Sequence, residues 1–123
     1  MADLHEALIR AFRKKAVMRG MRHAKSPMPT YRPDIFVEKV THNGQVIQQI
    51  AVEAEIHSTL FSEHTSHQLL HMDHFIRLQK TKRVKALGFL LVPKGKSVRV
   101  HAVSLLDSLF PDGTTIRVES AKV

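Results

Sequence analysis

The fold of this chain is decided by a predicted β-hairpin in its first half, where residues 33–57 have the sequence PDIFVEKVTHNGQVIQQIAVEAEIH. Asn43-Gly44 is the strongest short hairpin signal, because both residue types accept the positive φ angles of a two-residue turn. The residues on either side alternate between apolar and polar types and predict strands over 32–40 and 45–57. These two strands set the positions of Asp34, Glu53 and Glu55, the acidic residues of the hairpin discussed next.

The register of this hairpin brings three carboxylates together. A two-residue turn places Asp34 opposite Glu53, and because side chains alternate along a strand, Glu55 and His57 lie on the same face. The predicted core face carries the apolar side chains Ile35, Val37, Ile50, Val52, Ala54 and Ile56. Like charges that face each other on a sheet are destabilising. Either a divalent cation compensates them, or this face is exposed and its acids pair with Lys and Arg.

The remaining sequence completes one α/β domain over residues 1–123. The predicted helices are 2–19, 59–80 and 97–109, and the further strands are 84–92 and 114–119. Ser58 or Ser62 is expected to cap the second helix. The order α-β-β-α-β-α-β predicts a small mixed β-sheet flanked by helices.

The charges are segregated along the chain. Lys and Arg number 19 against 11 acids, a net charge of +8, and the acids of the hairpin lie between two basic flanks. Basic flanks favour contacts with phosphate groups, so DNA is the expected partner. The candidate phosphate contacts are Arg10, Arg13, Lys14, Arg32, Lys82, Arg83 and Lys85.

Composition excludes several classes of protein. The chain has no cysteine, which rules out a disulfide scaffold, a cysteine nucleophile and a cysteine-ligated zinc. It contains no run of about 18 apolar residues that would cross a membrane. An apolar signal-peptide region is also missing at the N-terminus. We therefore expect a cytoplasmic protein with no membrane association and no small-molecule cofactor.

The acidic motif resembles that of the PD-(D/E)xK nuclease superfamily. Pro33-Asp34 is followed, nineteen positions after Asp34, by Glu53-Ala54-Glu55. The resemblance covers about residues 2–119 and implies a restriction-endonuclease-like or Holliday-junction-resolvase-like fold, whose usual order is α-β-β-β-α-β. It also implies that Asp34 and Glu53 hold Mg²⁺ or Mn²⁺.

One position departs from the family pattern. Glu55 stands where the superfamily usually has Lys, although some of its restriction endonucleases also carry Glu there, and Glu55 is then a ligand or a base that positions water. An alternative frame is Glu55-Ile56-His57, with His57 in the lysine position. The resemblance also suggests Glu6 as an additional acid from the first helix, and Gln68 as a polar residue facing the site.

The function implied is that of a metal-dependent DNA endonuclease that hydrolyses phosphodiester bonds with Asp34, Glu53 and Glu55 as catalytic residues. A homodimer is expected, because so small a domain has little surface with which to hold a duplex. The alternative is a catalytically inactive module of the same fold that binds nucleic acid or a protein partner.

Four histidines form a separate feature. The residues His64, His67, His71 and His74 share one face of the second predicted helix. The stripe is open to three interpretations: a solvated or interface surface, a substrate contact, or a zinc or nickel site in which His67 and His71 are ligands.

The charge distribution makes a prediction about binding. We expect affinity for DNA to fall by at least about tenfold between roughly 50 and 200 mM salt, because neutralised phosphates release counterions. Fluorescence anisotropy with labelled DNA at several salt concentrations measures this dependence. An affinity that does not change with salt would contradict the role given to the basic flanks.

Overall fold

A five-stranded mixed sheet organises the chain. The computed structural model describes residues 3–26 and 28–123. The elements are α1 (Leu4–Met18), β1 (Arg22–His23), β2 (Ile35–Val40), β3 (Val46–Ala54), α2 (Glu63–Thr81), β4 (Lys85–Pro93), α3 (Lys96–Leu109) and β5 (Arg117–Ala121). The sheet order is β1-β2-β3-β4-β5. The pairs β1-β2 and β2-β3 are antiparallel, whereas the pairs β3-β4 and β4-β5 are parallel.

The predicted α/β architecture is confirmed at this level. Strands β3 and β4 are parallel, so a crossover must join them, and α2 provides it. Helix α3 does the same between β4 and β5. No helix in the described part of the chain is long and apolar enough to span a bilayer.

Strand β1 is absent from the sequence prediction. It contains only Arg22 and His23, which pair with Glu38 and Val37 of β2, and two residues are too few to show a period. The pairing is supported by a salt bridge of 3.0 Å between Arg22 and Glu38. With β1 included, the observed order is α-β-β-β-α-β-α-β.

The hairpin between β2 and β3 has the predicted register, but its loop is one residue longer than predicted and β3 contains a bulge. Its loop has three residues, because the N–H of Thr41 donates to the carbonyl of Gln45, and the third loop residue, Gly44, has a φ of 79°. This geometry is that of a type I turn followed by a left-handed residue. Ile47 is then an extra residue in β3, since Val40 pairs with Val46 but Lys39 pairs with Gln48. The bulge restores the predicted pairing.

The sheet is covered on both faces. Helix α1 packs on the predicted core face, where Ile35, Val37 and Val52 are buried. The other face, which carries the acids, also meets a core, because α2 and α3 bury Phe36 and Ala51 there. Strand β4 is buried on both faces, as predicted from its apolar run. The acids therefore lie at the end of a buried face and not on an open one.

Helix α2 begins later than predicted. Ser62 is its cap, accepting from the N–H of Thr65 at 3.2 Å, and this settles the choice between Ser58 and Ser62. The preceding residues 56–62 form successive turns, with backbone bonds from Thr59 to Ile56 and from Ser62 to Thr59. This segment connects the end of β3 to α2 and lies beside the acids.

The packing of α2 on β4 depends on Gly88. A Cβ at this position would lie 2.6 Å from Sδ of Met72 and 2.7 Å from Cδ1 of Ile76. We expect Gly88→Ala to lower the free energy of unfolding by about 1–3 kcal/mol, because the added methyl forces α2 away from the sheet. Urea denaturation measures the change.

A double-mutant cycle separates this clash from a backbone effect. Met72→Ala removes two of the three side-chain atoms nearest to the added methyl, so Gly88→Ala should cost less in that background. An equal cost in both backgrounds would show that steric contact with Met72 is not the cause.

Candidate metal centre

Three carboxylates converge where β3 ends. Asp34, Glu53 and Glu55 each offer an oxygen, and these oxygens all lie within 4.8 Å of one another. Glu53 is the penultimate residue of β3, Glu55 directly follows the strand, and Asp34 directly precedes β2. The predicted convergence of these three residues is therefore confirmed. We call this end of the sheet, where β3 and the parallel β4 both finish, the acidic end.

Asp34 is held by the backbone of the neighbouring strand. Its Oδ2 accepts a hydrogen bond from the N–H of Ala54 at 2.8 Å, and Nε2 of His5 lies 3.4 Å from the same oxygen. The side chain of Gln68 donates to the carbonyl of Arg32 at 2.8 Å, two residues before Asp34. Asp34 is thus fixed by α1, α2 and β3 together.

Glu53 is the most buried of the three acids. Its side chain is 1 % exposed, and among residues 3–26 and 28–123 its Oε2 finds no hydrogen-bond partner. Burial, reinforced by the charges of Asp34 and Glu55, raises the pKa of Glu53 from 4.5 to about 10. The carboxyl is therefore neutral at pH 7 in the metal-free protein.

Tyr31 reflects the same environment. Its side chain is buried, and its hydroxyl has no partner within the described residues. Burial, followed by the charges of Glu53 and Asp34, raises the pKa of Tyr31 far above its ordinary value. Tyr31 therefore remains neutral and adds no negative charge beside Glu53.

Glu55 is oriented by a hydroxyl group. Thr59 donates from Oγ1 to Oε2 of Glu55 at 2.5 Å, and the backbone N–H of Glu55 donates to the carbonyl of Leu91 at 2.9 Å. The second bond extends the pairing with β4 by one residue beyond the strand. Thr59 is a site residue that sequence reasoning missed, since it lies in turns without a period.

The three acids fit a divalent cation. The unpartnered oxygen of Glu53 is a buried acceptor that protein groups do not satisfy, and such an atom is costly without a partner. Clustered carboxylate oxygens are the ligands that Mg²⁺ and Mn²⁺ prefer. A bound cation would supply the missing partner and would allow Glu53 to ionise beside Asp34 and Glu55.

Two clefts meet at Asp34. The acidic cleft, of about 460 Å³, contains all three acids together with His5, Thr59 and His64. The basic cleft, of about 790 Å³, shares Asp34 and is lined by the cationic side chains Arg13, Lys25 and Arg32, with His23 beside them. Positive charge is thus placed next to the acids, as a phosphate backbone bound beside a metal would require.

The predicted phosphate contacts separate into two groups. Arg13 and Arg32 line the basic cleft, and Arg10 and Lys14 are exposed within one turn of Arg13 on α1. Lys82, Arg83 and Lys85 lie at the opposite end of the sheet, where Lys85 pairs with Gln48 near the start of β3. Lys25 and His23 are not among the predicted contacts, because the segment before β2 has no periodic pattern.

Glu6, His57 and Gln68, the additional site residues suggested by the sequence, are not part of the group of three acids. Glu6 is exposed and does not line the acidic cleft; the neighbouring His5 does, since successive helical residues point about 100° apart. His57 turns toward α3, where its Nε2 lies 2.7 Å from Nδ1 of His101. Gln68 supports the backbone before Asp34. The first frame of the motif, with Glu53 facing Asp34, is the one compatible with this arrangement.

The histidine stripe divides among several environments. His64 lines the acidic cleft, His67 lies 4.0 Å from Glu63, His71 stacks on Tyr31 at 6.1 Å, and His74 is exposed. Within residues 3–26 and 28–123, the three acids are the only group of three or more potential ligands close enough to share an ion. The stripe therefore provides no group of three ligands within the described residues, and a site formed by His67 and His71 alone stays a prediction.

Comparison with known proteins adds no assignment. A scan against protein-family models finds no match, and a search of curated proteins finds no significant match. The likeness to the PD-(D/E)xK nucleases stays a prediction from the motif, and the function has to be argued from the site itself.

The buried carboxyl of Glu53 makes stability depend on pH. Without metal, its folded pKa of about 10 lies above its ordinary value of 4.5. The folded state therefore binds the proton more tightly, and the stabilisation present below pH 4.5 is lost as pH rises toward 10. In EDTA we expect the free energy of unfolding to fall by up to about 1.4 kcal/mol per pH unit from this group.

Glu53→Gln should remove this dependence and stabilise the protein at high pH, since a neutral amide replaces the carboxyl. Glu63→Gln, at an exposed position, is the matched control. Urea denaturation from pH 5 to pH 9 gives both curves. Parallel curves for wild type and Glu53→Gln would show that Glu53 is not held neutral in the folded state.

Proposed function

We propose that the chain is a metal-dependent nuclease of the restriction-endonuclease-like class that hydrolyses DNA phosphodiester bonds with Mg²⁺ or Mn²⁺. The observation that carries the proposal is the group of three carboxylates at the acidic end, within 4.8 Å of one another, with an unpartnered buried oxygen on Glu53. A buried carboxyl oxygen without a partner is costly, and a cation held by Glu53 together with Asp34 and Glu55 would compensate that cost.

The topology supports the same class. From α1 to β4 the elements follow the order α-β-β-β-α-β that the resemblance implies, with the short β1 supplying the strand missing from the sequence prediction. The acids come from the adjacent strands β2 and β3, at the end where the sheet becomes parallel. Ligand sites in α/β proteins commonly lie beyond the carboxyl ends of parallel strands, and the carboxyl ends of β3 and β4 lie beside these acids.

Each residue has a distinct role in the proposed reaction. Asp34 and Glu53 are the ligands, and Glu55, oriented by Thr59, is a third ligand or positions the attacking water. When bound, the metal ion polarises the phosphate and lowers the pKa of water. Glu53 must lose its proton to become a ligand, so metal affinity rises with pH.

The basic cleft has a complementary role. Arg13, Lys25 and Arg32 would hold the phosphates that flank the scissile bond, next to Asp34. One chain offers a small surface for this purpose. We therefore propose that the nuclease acts as a homodimer, in the cytoplasm.

The second candidate is an inactive module that binds nucleic acid or a protein. Glu55 in the usual lysine position favours it, and so does the neutral state of Glu53, which lets the acids coexist without metal. This candidate predicts binding without cleavage under all metal conditions.

Asp34→Asn separates the two functions. The amide oxygen can still accept from the N–H of Ala54, whereas Asp34→Ala would leave that donor unpaired. With Mg²⁺ or Mn²⁺ we expect Asp34→Asn to cleave plasmid and branched DNA at least about 100-fold more slowly than wild type, because a metal ligand has lost its charge. DNA affinity in EDTA should be equal or higher, because one repulsive charge is removed.

Asp112→Asn, at an exposed turn outside both clefts, is the control. Cleavage that persists in EDTA, or in Asp34→Asn at the wild-type rate, would refute the metal mechanism. DNA binding by wild type with no cleavage in either metal would favour the inactive module.

A further inference from the structure

Three aromatic rings, two of them exposed and one partly buried, form a cluster beside the acidic cleft. They belong to His57, Phe61 and His101, and we call them the aromatic cluster. The rings of His57 and His101 lie 4.9 Å apart, and Phe61 meets His101 edge-on at 6.0 Å. The hydrogen bond between His57 and His101 fixes the relative orientation of the two imidazoles. The cluster is therefore a connected surface, not a set of isolated side chains.

Phe61 is unusual in its exposure. Its side chain is 58 % exposed, and it is the only one of the Phe and Tyr residues, all within the described part of the chain, to be mostly open to solvent. Its neighbour Leu60 is fully buried and anchors the segment. An exposed aromatic ring supported by other rings is a surface suited to a planar apolar partner.

The position of the cluster ties it to the acids. His57 lies two residues after Glu55, and Phe61 belongs to the same turn segment as Thr59 and Ser62, which line the acidic cleft. Thr59 contacts Glu55 directly. A polymer whose phosphate lies at the three acids would therefore pass close to Phe61.

Charge identifies the class of that polymer. Lys94, which directly follows β4, and Lys96, the first residue of α3, are both exposed, and β4 ends beside β3 at the acidic end. Cations there complement a phosphate backbone, whereas the rings complement a base. Stacking on a ring requires an unpaired base, because bases within a duplex are already stacked.

The geometry points to a base-stacking platform: Phe61, supported by His101 and His57, receives an unpaired base of a nucleic-acid strand whose backbone crosses the acidic cleft. The substrate is then a single strand, or a duplex with unpaired nucleotides, and not a continuous duplex. This inference rests on the proposed function for the identity of the ligand. The burial of Tyr31 and Phe36 leaves neither ring available for this role.

The test compares two ligands in EDTA, with the full chain and fluorescence anisotropy. One is a labelled oligothymidylate and the other a blunt duplex of the same length. Phe61→Leu keeps an apolar side chain but removes the ring. We expect it to weaken binding of the single strand by about 5-fold to 100-fold, the range for loss of one stacked base, and to leave duplex binding unchanged.

Three controls sharpen the comparison. Phe61→Trp retains a ring and should preserve the preference for the single strand. Met18→Ala changes an exposed apolar residue at the C-terminal end of α1 and should have no effect on binding. An oligonucleotide with abasic sites keeps the phosphates but has no bases to stack. Wild type should bind it less tightly than oligothymidylate, and Phe61→Leu should not distinguish the two.

The outcomes separate this inference from the proposed hydrolysis. Equal losses on both ligands, or no loss with Phe61→Leu, would overturn the platform. The platform would also be overturned if Phe61→Leu changed the sedimentation of the protein without a selective loss of single-strand binding. That result would show that the aromatic cluster contacts another protein chain. Because cleavage is not measured in EDTA, a selective loss upholds the platform even if wild type never hydrolyses DNA.

Discussion

The hydrogen bond from the N–H of Ala54 to the carboxylate of Asp34 joins the fold to the site. It lies where the β2-β3 ladder ends, so it terminates the pairing and places one acid beside the two others. Asp34 can make this bond only if the hairpin register is correct. The same interaction thus fixes the end of β3 and the position of the candidate metal ligands.

Burial decides the charge state of the acids. Glu53 projects from β3 toward the layer covered by α2, beside the buried Tyr31, and receives no protein donor at one oxygen within the described residues. The metal-free protein avoids a third negative charge by keeping that carboxyl protonated. Protonation therefore reduces the charge repulsion in the metal-free site, and Glu53 would become a ligand only on losing that proton.

The sequence predicts the features that follow from the alternation of side chains between the two faces of a strand. The convergence of Asp34, Glu53 and Glu55 depends only on alternation and register, so it was accessible before the structure. The contacts made by Thr59, His5 and Lys25 were not, because they come from turns, a helix end and an irregular segment whose directions tertiary packing sets. The two-residue turn was wrong, and the register survived because the bulge at Ile47 compensated.

That bulge bears on how the gene can change. Deletion of one codon is tolerated best where the strand already has an unpaired residue. Deletion of Ile47 would remove the bulge and leave the acids on the same face of the sheet. A loss elsewhere in β3, beyond the bulge, would exchange its two faces and send Glu53 into the layer under α1. Tolerance to single-residue deletions should thus be concentrated between Thr41 and Ile47, where such a change leaves the register of the acidic end unaltered.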